Sequence, residues 1–196
     1  MSGWLEAPAP PYRIGPMGWL RVAWRGGLVG GLTYGGLIVL LLVRLVEWPI
    51  FGPARPVTPW ITQAVCRGSL WLLGLRLTVH GRPMKVEGAI VANHSSWLDI
   101  FALNAADRVY FVAKSEVAAW PGIGWLARAT GTLFIARKGT EAKKQQALFE
   151  SRLISGHRLL FFPEGTSTDA VRVLPFKSTL FAAFFSPALV RRMHIQ

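Results

Sequence analysis

Ala92-Asn93-His94-Ser95-Ser96-Trp97-Leu98-Asp99 places an imidazole and a carboxylate five residues apart, directly after the apolar run Ala89–Ala92. Two residues five apart within one helix point ~140° away from each other, at ~100° per residue. The pair can meet only if His94 lies in the turn before the helix and folds back over its first turn. Ser96 as N-cap then sets Asp99 at the third helical position, where the positive helix end favours a charged carboxylate. An ionised Asp there can fix the imidazole tautomer and stabilise the imidazolium formed when His94 takes a proton. Ser96-x-x-Asp99 also has the form of a capping box, which needs no catalysis. The two readings are compatible, because cap and orienting acid occupy one place.

Phe161-Phe162-Pro163-Glu164-Gly165-Thr166-Ser167-Thr168 is a second constellation. An apolar strand runs into a proline, which cannot continue a ladder, and then into an acid and a glycine. Ligands of open α/β sheets collect at such strand ends. Gly165 lets the backbone approach a ligand, and the N–H and hydroxyl groups that follow, Thr166 first among them, can hold a phosphate or diol. A turn with a solvated Glu164 is the competing reading. A third stretch, Gly131 to Gly139, delivers Arg137 to the end of another apolar strand, either as a phosphate clamp or as a solvated cation. Lys114 and Lys177 are further basic candidates. Strands ending at Asn93, Lys114, Arg137 and Pro163 can bring their polar ends to one rim.

These motifs need a sheet to position them. After Leu75, β-prone runs at Leu77–Val79, Ala89–Ala92, Tyr110–Val112, Leu133–Ile135 and Leu159–Phe162 alternate with helical ones at Trp97–Asn104, Trp125–Ala129 and Glu141–Ile154. Thr140 can cap the last helix and Gly156 can end it. The alternation predicts an α/β fold, a sheet flanked by helices. Before it, the run Gly26–Val43 carries no charge and spans about 27 Å as a helix, close to the ~30 Å hydrocarbon core. Trp60–Leu75 reads as a second apolar helix, a return arm or an interfacial one. The expected organisation is a flexible proline-rich stretch over 1–16, a membrane-associated helix pair over 17–75 and the α/β domain over 76–196. Arginines flank the apolar run on both sides, so the inside-positive rule does not orient it.

Composition agrees with a lipid-facing protein. Of 196 residues, 52% are hydrophobic and only 16% charged, with nine Trp and eleven Phe. A net charge of +12 points to anionic headgroups or phosphorylated substrates. No nucleic-acid-binding signature accompanies it. The lone Cys66 sits among apolar residues and excludes an internal disulfide. No His pair stands at metal-ligand spacing, and no nucleophile elbow, Walker loop or dinucleotide fingerprint is present. His80, His157 and His194 are isolated and read as structural or exposed.

Taken together, Asn93–Asp99, Gly131–Arg137 and Phe162–Thr166 resemble, in this order, three blocks of the glycerolipid acyltransferase family, whose bacterial type is 1-acylglycerol-3-phosphate acyltransferase. The likeness covers about residues 76–190. Phe111-Val112-Ala113-Lys114-Ser115-Glu116 and the run Pro11 to Gly27 are similar to its lyso-ornithine-lipid branch. The resemblance implies that His94 deprotonates an acceptor hydroxyl with Asp99 orienting it. The oxygen then attacks a thioester of acyl-CoA or acyl carrier protein. Arg137, Glu164 and Gly165 bind the acceptor's head. The implied acceptor is a lysophospholipid, 1-acyl-sn-glycerol-3-phosphate first and lyso-ornithine lipid as the alternative. No metal or organic cofactor is implied. The implied location is the cytoplasmic membrane, docked on membrane lipids, with the site on the cytoplasmic face. The family continues into a fourth, proline-containing apolar block, whereas Met193-His194-Ile195-Gln196 stands where that strand should begin. The domain is therefore expected to be truncated at its C-terminal end. A non-catalytic lipid-binding relic of the fold is the alternative from another class.

Overall fold

A computed structural model describes residues 13–86, 88–135, 142–178, 181, 189–190 and 193–196. The chain opens with two antiparallel helices. Helix α1, Pro16–Phe51, has Pro16 in its first turn, where the missing N–H costs nothing. It is much longer than the uncharged run that announced it. After a turn at Gly52–Val57, α2, Thr58–Leu73, returns along it and ends on Gly74, whose left-handed φ of 75° lets its N–H reach the Leu70 and Trp71 carbonyls. Small residues allow the close approach. A Cβ on Gly68 would lie 2.8 Å from Leu32 Cδ2, and one on Gly36 would collide with Val65. At one end of the pair Arg25 donates to the Leu73 carbonyl at 2.9 Å. At the other the buried Glu47 accepts from the N–H groups of Val57 and Thr58 at 2.7 and 3.1 Å and from the Thr58 hydroxyl at 2.8 Å. Glu47 thus caps α2 across the turn, with Arg44 Nη1 3.0 Å away as its counter-charge.

Five parallel strands follow: β1 (Gly88–Val91), β2 (Tyr110–Lys114), β3 (Leu133–Ile135), β4 (Leu159–Phe161) and β5 (His194–Ile195), in the order β3-β2-β4-β1-β5. Helices α3 (Leu98–Ala106), α4 (Ile123–Thr130) and α5 (Ala142–Ile154) occupy the connections, with a 3₁₀ turn at Ser115–Ala119 before α4. Strand alternation sorts the core. Leu159 and Phe161 pack with Phe149 and Leu153 of α5, while Leu160 packs with Phe111 and Leu103 on the opposite face. The described elements match the expected α/β sheet flanked by helices, with one correction. Leu77–Val79 is not a strand. β1 already pairs with β4 on one side and β5 on the other, so Leu77 and Val79 find no ladder and stay 40% and 51% exposed. Gly156 ends α5 as expected, in the left-handed region at φ 76° with its N–H on the Leu153 carbonyl. The cap expected at Thr140 lies outside the described residues.

The helix pair is not a separate appendage. Cys66 and Leu70 of α2 form a buried cluster with Ala105 and Phe101 of α3. Gln63 Nε2 and Arg67 Nε both donate to the Ala105 carbonyl, at 3.3 and 2.9 Å. They satisfy an acceptor that the C-terminal turn of α3 leaves open. Helix α1 is the one described helix long and apolar enough to cross a membrane, with a mean hydropathy of 2.0 over its most apolar window. Ile38, Val39, Leu42, Leu45 and Val46 lie exposed along it.

Candidate active site

Because β1 and β4 are parallel neighbours, the turns that leave them lie side by side. That adjacency brings the first and second sequence constellations together. His94 stacks on Phe162 with ring centroids 4.1 Å apart and planes 16° from parallel. Thr168 completes the junction, donating its backbone N–H to the His94 carbonyl at 2.8 Å. Sequence reasoning gave Phe162 and Thr168 no such roles. Both contacts span most of the domain in sequence, and neither leaves a local pattern.

His94 precedes α3 and folds back onto its first turn, as the five-residue spacing requires. Its Nδ1 lies 2.7 Å from Asp99 Oδ2. That oxygen also accepts the backbone N–H groups of Ser95 and Ser96, at 2.7 and 3.0 Å, and Oδ1 accepts the Ser95 hydroxyl at 3.0 Å. Ser96 Oγ accepts the Leu98 N–H at 3.1 Å. The cap and the orienting acid therefore coexist. The helix begins at Leu98, one residue later than a Ser96 N-cap implies, because a turn from the Ser96 carbonyl to the Asp99 N–H intervenes. Burial works against the charge on Asp99. The N–H groups of Ser96 and Ser95, then the His94 ring and the Ser95 hydroxyl, outweigh it and hold the carboxyl below its ordinary value of 3.8. An ionised carboxylate can only accept, so Nδ1 carries the ring proton and Nε2 keeps a free lone pair. His94 and Asp99 side chains remain 24% and 20% exposed.

The loop after β4 is tied from within. Glu164 is buried at 2% exposure, and its Oε2 accepts the Leu174 N–H at 2.7 Å. Oε1 is buried without a partner among the described residues. Gly165 turns with φ of 69°, and a Cβ there would lie 2.6 Å from Lys177 Nζ. The Lys177 N–H bonds the Pro163 carbonyl at 2.9 Å. Lys177 and Gly165 are therefore neighbours, while Thr166 is exposed on the same loop. Lys114 ends β2, the other neighbour of β4, and pairs in register with Ile135 of β3. The ends of β1, β2, β3 and β4 thus face one rim. Arg137 lies just past Ile135, outside the described residues. No group of metal-binding side chains forms among the described residues.

Residues 76–190 match the Acyltransferase family. The chain is 57% identical over 194 residues to the lyso-ornithine lipid O-acyltransferase of Rhodobacter capsulatus, covering 98% of this chain and 70% of that protein. The enzyme of the same name from Rhizobium meliloti is 37% identical over 84% of this chain and 55% of its own length. The 1-acyl-sn-glycerol-3-phosphate acyltransferase of Neisseria gonorrhoeae is 39% identical over 60% of this chain and 48% of its own length. Among solved structures, the 1-acyl-sn-glycerophosphate acyltransferase of Thermotoga maritima superposes with a TM-score of 0.61 at 22% identity, covering 83% of this chain and 67% of that one.

Proposed function

This chain belongs to the acyltransferase family, and from that premise we propose that it transfers a fatty acyl group from a thioester to the free hydroxyl of a lysolipid. The single observation that carries the mechanism is the His94–Asp99 contact at 2.7 Å, with its tautomer fixed by two backbone N–H groups on the same carboxylate oxygen. His94 Nε2 takes the proton of the acceptor hydroxyl as its oxygen attacks the thioester carbonyl. Asp99 stabilises the imidazolium that results. The carbon–sulfur bond breaks, the ester forms, and the imidazolium returns its proton to the leaving thiolate. The proton balance closes within the pair. The donor is a thioester of coenzyme A or of acyl carrier protein.

Lys177, Gly165 and Thr166 on the β4 loop, with Lys114 at the end of β2 and with Arg137, would hold the acceptor's polar head. Glu164 would serve that loop from inside, through its bond to Leu174. Lyso-ornithine lipid is the preferred acceptor, supported by 57% identity over almost the whole chain to an enzyme of that name. 1-Acyl-sn-glycerol-3-phosphate is the second, supported by the Neisseria relative. Docked through α1, with the catalytic turn on the cytoplasmic face, the enzyme would meet a lysolipid without extracting it from the bilayer.

The test is purified chain in neutral detergent with an acyl thioester and each acceptor in turn, following thiol release and lipid product together. The expected result is product from lyso-ornithine lipid, absent in His94→Ala. Product from 1-acyl-sn-glycerol-3-phosphate alone would overturn the acceptor assignment. Thiol release that His94→Ala leaves intact would overturn the mechanism.

A further inference from the structure

The sheet has a second charged end. At the N-terminal ends of the strands, opposite His94, two guanidiniums close around Gly131. Arg55, from the turn joining α1 and α2, donates Nη1 to the Ala129 carbonyl at 2.6 Å. A Cβ on Gly131 would lie 3.1 Å from both Arg55 Cζ and Tyr110 Cδ1. Arg152, from α5, donates Nη2 to the Gly131 carbonyl at 2.8 Å, with its Cζ 4.9 Å from the Tyr110 ring centroid. His157 packs on the same ring at 4.5 Å. Four separate stretches of chain thus build one cationic corner.

A structural reading is at hand, since both arginines meet carbonyls at the C-terminal end of α4, where cations belong. It accounts for one N–H of each guanidinium. Among the described residues it leaves Arg152 Nε buried without a partner, and likewise both ring nitrogens of His157. Among the described residues neither arginine meets a carboxylate. Glu47, the acid that acts on Arg55 from a distance, is already engaged by Arg44, Val57 and Thr58. Burial, with Arg152, Arg55 and Arg44 adding to it, pushes His157 down to about 4, so its ring is neutral and can both donate and accept. Half-buried cations held together without a counter-charge attract an anion. Planar N–H forks fit the oxygens of phosphate.

We propose that Arg55 and Arg152, walled by Tyr110 and His157, bind a phosphate-type oxyanion at the base of the sheet, away from the catalytic turn. A phospholipid headgroup and free inorganic phosphate offer the same chemistry. Arg55 sits beside the turn of the helix pair, so a headgroup docked there would tie the sheet to the bilayer at a point distinct from the acceptor site.

The full chain in neutral detergent tests this without any assay of acyl transfer, so its outcome is independent of the proposed reaction. Thermal unfolding is followed against inorganic phosphate with chloride at matched ionic strength as control. A second arm uses short-chain phosphatidylglycerol against phosphatidylcholine. A saturable rise in the midpoint with phosphate, or with the anionic lipid only, is expected and names the source. Arg55→Gln with Arg152→Gln should abolish it, and His94→Ala should keep it. In the parent protein, whichever anion raises the midpoint should also protect Arg55 and Arg152 from modification by phenylglyoxal, read by peptide mapping, which needs no folded variant. No rise with either anion, equal modification with and without the anion that raises the midpoint, or an unchanged midpoint rise in the double variant, overturns the proposal.

Discussion

Three hydrogen bonds converge on one oxygen, Asp99 Oδ2, from His94 Nδ1 and the N–H groups of Ser95 and Ser96. Asparagine can present a carbonyl oxygen at the same point, so Asp99→Asn keeps the cap and removes the charge. Its thermal midpoint should stay near the parent's, while turnover falls at least ~10-fold because the imidazolium loses its counter-charge. His94→Ala should cost at least ~10²-fold, the usual scale for a general base, and the double variant little more, since the pair acts as one unit. Near-parental turnover in a folded Asp99→Asn protein would leave Asp99 as a helix cap alone. The same carboxylate makes a signed prediction in pH. Its folded pKa is depressed, so its stabilisation is complete above the ordinary value of 3.8 and is lost as pH falls through the lower folded value. The parent should therefore lose stability relative to Asp99→Asn as pH drops from 5 toward 2. Parallel acid-unfolding curves for the two proteins would contradict this.

At the scale of elements, the loop after β4 and the turn between α1 and α2 each depend on one residue. Gly165 holds φ of 69° with Lys177 against it, so Gly165→Ala combines a left-handed backbone with displacement of the lysine. A loss of about 1–2 kcal/mol in unfolding free energy is expected, with a raised KM for the acceptor and a smaller change in kcat. An unchanged KM would separate Lys177 from the acceptor site. Much of this organisation was legible in the sequence. The strand-turn-helix around His94 and the proline that stops β4 are local patterns, and each stood where it was expected. Long-range satisfaction was not legible. Leu77–Val79 has strand composition, but β1 has no free edge left for it. Glu47 stands just past the apolar run, with nothing local that marks it as a cap. Only the return of α2 shows that it caps Thr58, and Thr168 likewise reaches His94 only after β1 and β4 pair.

The whole molecule turns most of α1 outward. Its most apolar window is only 11% buried, and Leu41, Leu42, Leu45 and Val46 are exposed on it. A continuous apolar surface of this kind marks a partner or a lipid phase. The antiparallel α2 occupies the other side, through Gly36 and Gly68, and α2 in turn packs on α3 through the Cys66 cluster. Removing residues 1–75 would therefore strip the support of α3 along with the anchor, and a soluble catalytic fragment is not expected. A cleaner probe changes only the outward surface. Leu41→Glu with Leu45→Glu leaves the buried Leu40 and Glu47 in place, so the helix pair and the sheet should keep their circular-dichroism signal and melting cooperativity. A charge at the centre of a span opposes insertion by ~2.5–3.5 kcal/mol on translocon-based scales; Leu41 and Leu45 lie toward one end of the run, where each charge costs less, so the variant carries two. In liposome flotation the parent should rise with the lipid and the double variant should stay at the bottom of the gradient. A folded variant that floats as well as the parent would remove α1 from the anchoring role and pass it to α2.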